Sequence, residues 1–212
     1  MWNRGLVPLI GLMVMALWLQ ACGRGFEPQN SCNFLLSSQQ QRVSWKGKLP
    51  VRFHIHGSVP SQYYQAIEAA AQIWNQASPG QELIRIVGYG VSGPPEPQRD
   101  GHSVIYWMRQ WDRVRSREQA RTTIYWAGTQ ILETDILVNA EPDNHHFYPG
   151  LSLDGIKPNQ VDFKSLMVHE FGHALGLTHT ASAPSVMSAY LSSGVKRRDL
   201  SEQDISSLTC EY

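Results

Sequence analysis

Neither sign of charge prevails in this sequence, where 18 lysines and arginines meet 18 aspartates and glutamates. A balanced chain lacks the basic field that nucleic acid or an anionic surface needs as a bulk partner. No repeat period is visible. Long apolar runs are also missing, with one exception at the start. Leu6 to Leu19 is apolar apart from Pro8 and Gly11, which is shorter than the roughly 20 residues of a membrane-spanning helix. With Arg4 before it, the stretch reads as the h-region of a secretory signal. Cysteine is scarce, at three residues. What the sequence does have is enough apolar and aromatic content, 42% and 10%, to exclude general disorder. Its 212 residues suffice for one good-sized core and are too few for two comfortable domains.

Leu19-Gln20-Ala21-Cys22 resembles a bacterial lipobox. The resemblance implies removal of residues 1–21 as a lipoprotein signal peptide, lipid on Cys22, and a place in the bacterial envelope. Gly23, rather than aspartate, after the cysteine favours the outer membrane. The alternatives are cleavage at Ala21 without acylation, or an uncleaved anchor. Cys32 and Cys210 remain, either as a disulfide tying the start of the mature chain to its last helix or as two free thiols.

Residues 22–46 are polar, with Ser37-Ser38-Gln39-Gln40-Gln41, and are expected to form a tether, leaving 47–212 as the domain. Within it, Pro50 to His56 alternates like a half-buried strand. Tyr64, Ile67, Ala71 and Trp74 share a helical stripe that Pro79-Gly80 ends. Leu83 to Val87 and Val104 to Trp107 read as strands, and Thr122 to Ala127 with Ile131 to Val138 as a hairpin about Gly128. Arg113, Arg115, Arg117 and Arg121 lie near Trp107, Trp111 and Trp126, read as a solvated connection rather than a stacking surface for nucleic acid. Asp162 is placed to cap the next helix. The expected fold class is α/β (α+β): a mixed, twisted sheet with two long helices and a C-terminal helix.

That second long helix contains His169-Glu170-Phe171-Gly172-His173-Ala174-Leu175-Gly176-Leu177-Thr178-His179. Residues four apart stand one above the other on a helix, so His169 and His173 can meet one Zn2+ ion. Phe163, Met167, Phe171, Ala174 and Leu175 form the opposite, core-facing side. Glu170 sits beside the metal position, where a carboxylate can take a proton from an activated water and return it to a leaving amine. Gly176 comes where glycine enters a left-handed conformation cheaply and ends a helix. The chain can then turn back and bring His179 to the metal. Three neutral histidines leave a fourth position open, as catalysis requires.

This extended pattern, followed by Met187 in Ser185-Val186-Met187-Ser188, resembles the metzincin signature. Thr134 to Asn139 and Leu200 to Ile205, the latter with a Ser201/Asp204 capping box, look similar to bacterial matrixin-like proteases. The likeness spans about Leu49 to Leu208. It implies a metzincin catalytic domain and a zinc metalloendopeptidase acting on protein or peptide substrates. Met187 would then form an apolar floor under the histidines, and residues 121–127 a sheet edge for an added substrate strand. A monomer is expected. The sequence departs from the family in lacking a cysteine-switch prodomain and a clear structural-zinc cluster. His54, His56, His145 and His146 are read as solvated or hydrogen-bonded, and a second zinc, or calcium at Asp143 or Asp154, has no support. Tyr190 lies three residues past the methionine, one too many for the Met-turn tyrosine of astacins. Two rival functions stay open: a catalytically silent binding or assembly lipoprotein, and a zinc hydrolase of cell-wall crosslinks.

Overall fold

Strands β1 (Val51–His56), β2 (Ile84–Val91), β3 (Ser103–Met108), β4 (Ala120–Ala127) and β5 (Gln130–Asn139) form one five-stranded sheet in the computed structural model. The structure describes residues 30–212 except 153, 182 and 183. The expected signal segment and Cys22 lie outside the described residues. Among the described residues no helix is long and apolar enough to cross a membrane.

The strand order is β2-β1-β3-β5-β4. The first four neighbours run parallel, and only β4, at the edge, runs antiparallel. This is the expected mixed sheet, and its order follows from the connections. Helix α1 (Tyr64–Gln76) provides the crossover from β1 to β2, since parallel neighbours need a long return path. Residues 92–102 then carry the chain past β1 to its other side. The two-residue link at Gly128-Thr129, with Gly128 at φ 59°, closes the β4–β5 hairpin.

Helix α1 and helix α2 (Phe163–Ala174) bury their apolar sides in the core. Ile67, Ala70, Trp74, Phe163, Met167 and Phe171 are all fully buried. The Trp74 indole donates to Val168 O at 2.8 Å, fixing the two helices in register, and Phe171 packs edge-on against Phe53 of β1. A short parallel pair, β6 (Phe147–Tyr148) and β7 (Val161–Asp162), leads into α2.

Asp162 caps α2 as expected, accepting from Ser165 N, and it also holds Arg198. That guanidinium donates through Nε at 2.7 Å and Nη2 at 2.5 Å, with both partners buried. Such a bidentate pair removes the penalty each charge would carry alone. Helix α3 (Glu202–Leu208) starts on the Ser201/Asp204 capping box.

One expectation fails. Residues 30–46, expected to belong to a tether, are packed onto the domain: Phe34, Val43 and Trp45 are 2%, 0% and 6% exposed. The polar run is only the turn of this strap, with Ser37 N bonded to Gln41 O and Gln40 at φ 56°. Val43 and Trp45 alternate with Arg42, Ser44 and Lys46, but two apolar positions are too few to mark a strand against the polar run before them. The strap bridges to the chain near the motif at Phe34–Leu177 and to β5 at Ser44–Gln130. A Cys32–Cys210 disulfide, Cα–Cα 6.4 Å, joins it to the end of α3.

The arginine-tryptophan stretch engages itself. Arg121 lies over Trp111 at 5.1 Å and pairs with Glu118, while Trp107 stacks on Tyr63.

Candidate active site

A cavity of about 710 Å³ opens between the edge strand β4, helix α2 and the segment Ser188–Leu191. At its base stand His169, His173 and His179, half or more buried except for the last. Their Nε2 atoms form a triangle with edges of 3.0, 3.1 and 3.2 Å. The motif explains the convergence. His169 and His173 are stacked one turn apart on α2, the helix ends at Ala174, and Gly176 reverses the chain at φ 103°. Glycine is required there twice over, since a Cβ would also lie 2.6 Å from the strap carbonyl Val43 O.

The histidines are oriented from behind. His169 Nδ1 is 2.7 Å from Val186 O, and His173 Nδ1 is 2.7 Å from Leu177 O. A carbonyl only accepts, so each Nδ1 carries the hydrogen and each Nε2 presents a bare lone pair to the others. Burial pulls His169 down to about 3 and lowers His173 and His179 as well, with His173 adding to the effect on both neighbours. Neutral imidazoles whose lone pairs converge repel one another unless a cation lies between them. Zinc fits: bonds of about 2.0–2.1 Å in a tetrahedron set nitrogens ~3.3 Å apart. Among the described residues these three form the one His/Cys/Asp/Glu group close enough to hold a metal.

Glu170 sits in the same cavity, 4% exposed. Burial raises its carboxyl to about 7, opposed by a hydrogen bond from Thr122 on β4, 2.6 Å to Oε2. Met187, 2% exposed, packs against α2 at Gly172. A Cβ on Gly172 would overlap Met187 Sδ and lie 2.9 Å from Trp74 Cζ2. Gly172→Ala is therefore expected to lower stability. The overlap costs about 1–3 kcal/mol, against a helix-propensity gain of about 1 kcal/mol, so thermal unfolding should shift down, not up.

The spacing of the motif does not reveal what holds the turn at Met187. Asp204, expected only as a capping residue, also accepts from Ser185 Oγ and from Val186 N at 3.1 Å, while Ser185 Oγ accepts from Met187 N at 2.9 Å. One buried carboxylate thus joins α3 to the segment whose Val186 carbonyl orients His169. Thr122 was equally hidden, because nothing in a strand's alternation says which helix residue it faces.

Other sequence candidates lie elsewhere. His54 stands edge-on to His102, His56 bonds Ser58, and His145 is 3.1 Å from Ser116 O and Glu118 O. Asp143 and Asp154 are exposed. Tyr190, 78% exposed, stands at the cavity rim. Asp135, fully buried on β5, is pushed up to about 7 by burial, against a hydrogen bond from Val104 N.

A mixed sheet above a helix bearing two histidines and a glutamate, with a third histidine after a glycine turn and a buried methionine below, defines a metzincin catalytic domain. The sequence model of the matrixin family matches residues 70–212, and the chain belongs to that family of zinc metalloendopeptidases. No curated protein matches it.

Proposed function

We infer that the chain is an endopeptidase that binds an extended polypeptide along β4 and hydrolyses it with Glu170 as the proton carrier. The observation that supports this most directly is the meeting of three histidine Nε2 atoms within 3.2 Å, those of His169 and His173 bare, beside a buried carboxylate in an open cleft. His169, His173 and His179 are the proposed metal ligands. Zinc bound there supplies Lewis acidity that polarises a peptide carbonyl and acidifies a water molecule.

Glu170 accepts the proton as water attacks the carbonyl carbon, then delivers it to the nitrogen as the C–N bond breaks. Its raised proton affinity suits both halves of that transfer. Met187 closes the apolar underside of the histidines. Among the described residues β4 pairs only with β5, so its outer backbone groups can hydrogen-bond an added substrate strand. Residues 188–191 form the facing wall and set side-chain preference.

Metal removal tests the assignment. Purified protein is expected to carry one zinc per chain, to lose cleavage of an unfolded protein such as casein on treatment with a chelator, and to recover it with zinc. Zinc-loaded protein that cleaves no member of a broad peptide library would overturn the endopeptidase reading, and hydrolysis of isolated wall fragments instead would replace it.

The lipobox-like Leu19-Gln20-Ala21-Cys22 supports export and lipid anchorage at Cys22, with the domain held at an envelope membrane. Mass spectrometry of the mature N-terminus checks this: a diacylated or triacylated Cys22 is the expected species, and an unmodified one rejects the anchor.

A further inference from the structure

We propose that Thr122 is a positioning residue for Glu170, its hydroxyl holding one carboxylate oxygen so that only the other is free to carry the proton. The inference rests on the reading of Glu170 as the proton carrier. Thr122 lies in β4, paired with Ile136 of β5, and its side chain reaches across to α2. Its Oγ1 is 2.6 Å from Glu170 Oε2 and 3.2 Å from Glu170 O.

A hydroxyl has one hydrogen to give. The shorter contact to the charged acceptor takes it, because charge-assisted hydrogen bonds are about twice as strong as neutral ones. Among the described residues no other donor reaches the Glu170 carboxylate. Its terminal torsion is soft and nearly two-fold, so without Thr122 the two oxygens would exchange places freely. With the hydroxyl anchored to a strand in the ladder, the carboxylate plane is set and Oε1 is left without a protein partner.

The choice of strand matters. β4 is also the edge proposed to receive substrate, so one element fixes both the peptide's backbone and the base that serves it. A shift of β4 would move the two together.

Thr122→Val keeps the branched shape and removes the hydroxyl, whereas Thr122→Ser keeps the hydroxyl. Both variants and the native protein, each zinc-loaded, are compared in kcat and KM on a fluorogenic peptide and in zinc affinity by chelator competition. The third readout is affinity for acetohydroxamate, whose N–OH proton the same carboxylate oxygen would accept. Thr122→Val should lower kcat roughly ten- to hundredfold and weaken acetohydroxamate roughly tenfold, the loss of a hydrogen bond to a charged group. KM and zinc affinity should stay within about twofold, and Thr122→Ser should recover most of both losses. Native kcat and acetohydroxamate affinity in Thr122→Val, or a Thr122→Ser variant as impaired as Thr122→Val, would overturn the proposal. If the native protein cleaves no peptide, the endopeptidase reading fails, and the acetohydroxamate comparison alone still decides the role of Thr122.

Discussion

Glu170→Gln is expected to lower kcat for peptide hydrolysis by about three to four orders of magnitude while leaving zinc content at one per chain. The size follows from what the carboxylate does. A positioned acid-base group contributes about 10²–10⁴-fold, and here one group would serve both proton transfers. Zinc retention follows from geometry, because the three Nε2 donors are set by Val186 O, Leu177 O and the Gly176 turn, none of which involves the Glu170 side chain. Glutamine is the same size and its Oε1 can accept the Thr122 hydrogen bond, so the fold should not suffer. KM should change little, which separates this variant from one that damages the cleft. Activity within tenfold of native would show that another group moves the proton.

The same variant tests burial in the metal-free protein. Glu170 is raised to about 7 from an ordinary 4.5, mainly by desolvation. A carboxyl whose folded pKa is raised favours the folded state below its unfolded pKa, and that contribution is lost as pH rises through the folded value. Native apoprotein should therefore lose stability between about pH 4.5 and 7 relative to Glu170→Gln, and thermal unfolding at pH 5 and pH 8 would show the difference growing with pH. An unchanged difference would mean that the carboxylate is better solvated than its burial indicates.

What could be read from the sequence was whatever repeats locally. Helix α2 announces itself through its Asp162 cap, the core stripe Phe163-Met167-Phe171 and the histidines one turn apart. Helix α3 does so through Ser201 and Asp204. The β1, β3 and β5 segments alternate or run apolar as buried strands do. The order of strands was not legible, because residues 92–102 cross the sheet as an irregular loop without a period of their own. Nor was the strap, where Val43 and Trp45 are buried singly between polar residues and Phe34 begins an apolar run of only three. The site divides in the same way. His169, Glu170, His173 and His179 lie within eleven residues and are tied by helical geometry. Thr122 and Asp204 reach the site from 48 residues before Glu170 and 17 after Met187, as long-range consequences of sheet order and helix docking. Local spacing encodes the donors, while the groups that hold them come from tertiary packing.

Replacing Cys32 and Cys210 together by serine is expected to reduce folding stability by about 3–5 kcal/mol, read as a fall of ~10 °C in thermal midpoint. The bond closes a loop spanning 178 positions, and a closure that long removes ~5 kcal/mol of unfolded-chain entropy in the simple model, with shortfalls common. The remaining ties at that corner cannot make up the difference. Arg42 and Lys46 pair with Glu211 at 2.7 and 2.6 Å, yet Arg42 and Lys46 are partly exposed, and such pairs contribute about 1 kcal/mol or less each. The consequence reaches the proposed metal ligands. Beside Cys32, Asn33 O accepts from Thr178 N at 2.6 Å and from Thr178 Oγ1 at 3.0 Å, and Leu35 N donates to Gly176 O at 2.8 Å. The strap therefore brackets Leu177, whose carbonyl orients His173, and holds the residue next to His179. Loss of the disulfide should weaken zinc binding as well as folding, and native protein treated with reductant should match the double variant in both. A double variant with native stability would mean that the backbone pairing at Asn33 and Leu35 holds the strap without the covalent link. Weakened folding with native zinc affinity would mean instead that the turn from His173 to His179 is rigid by itself.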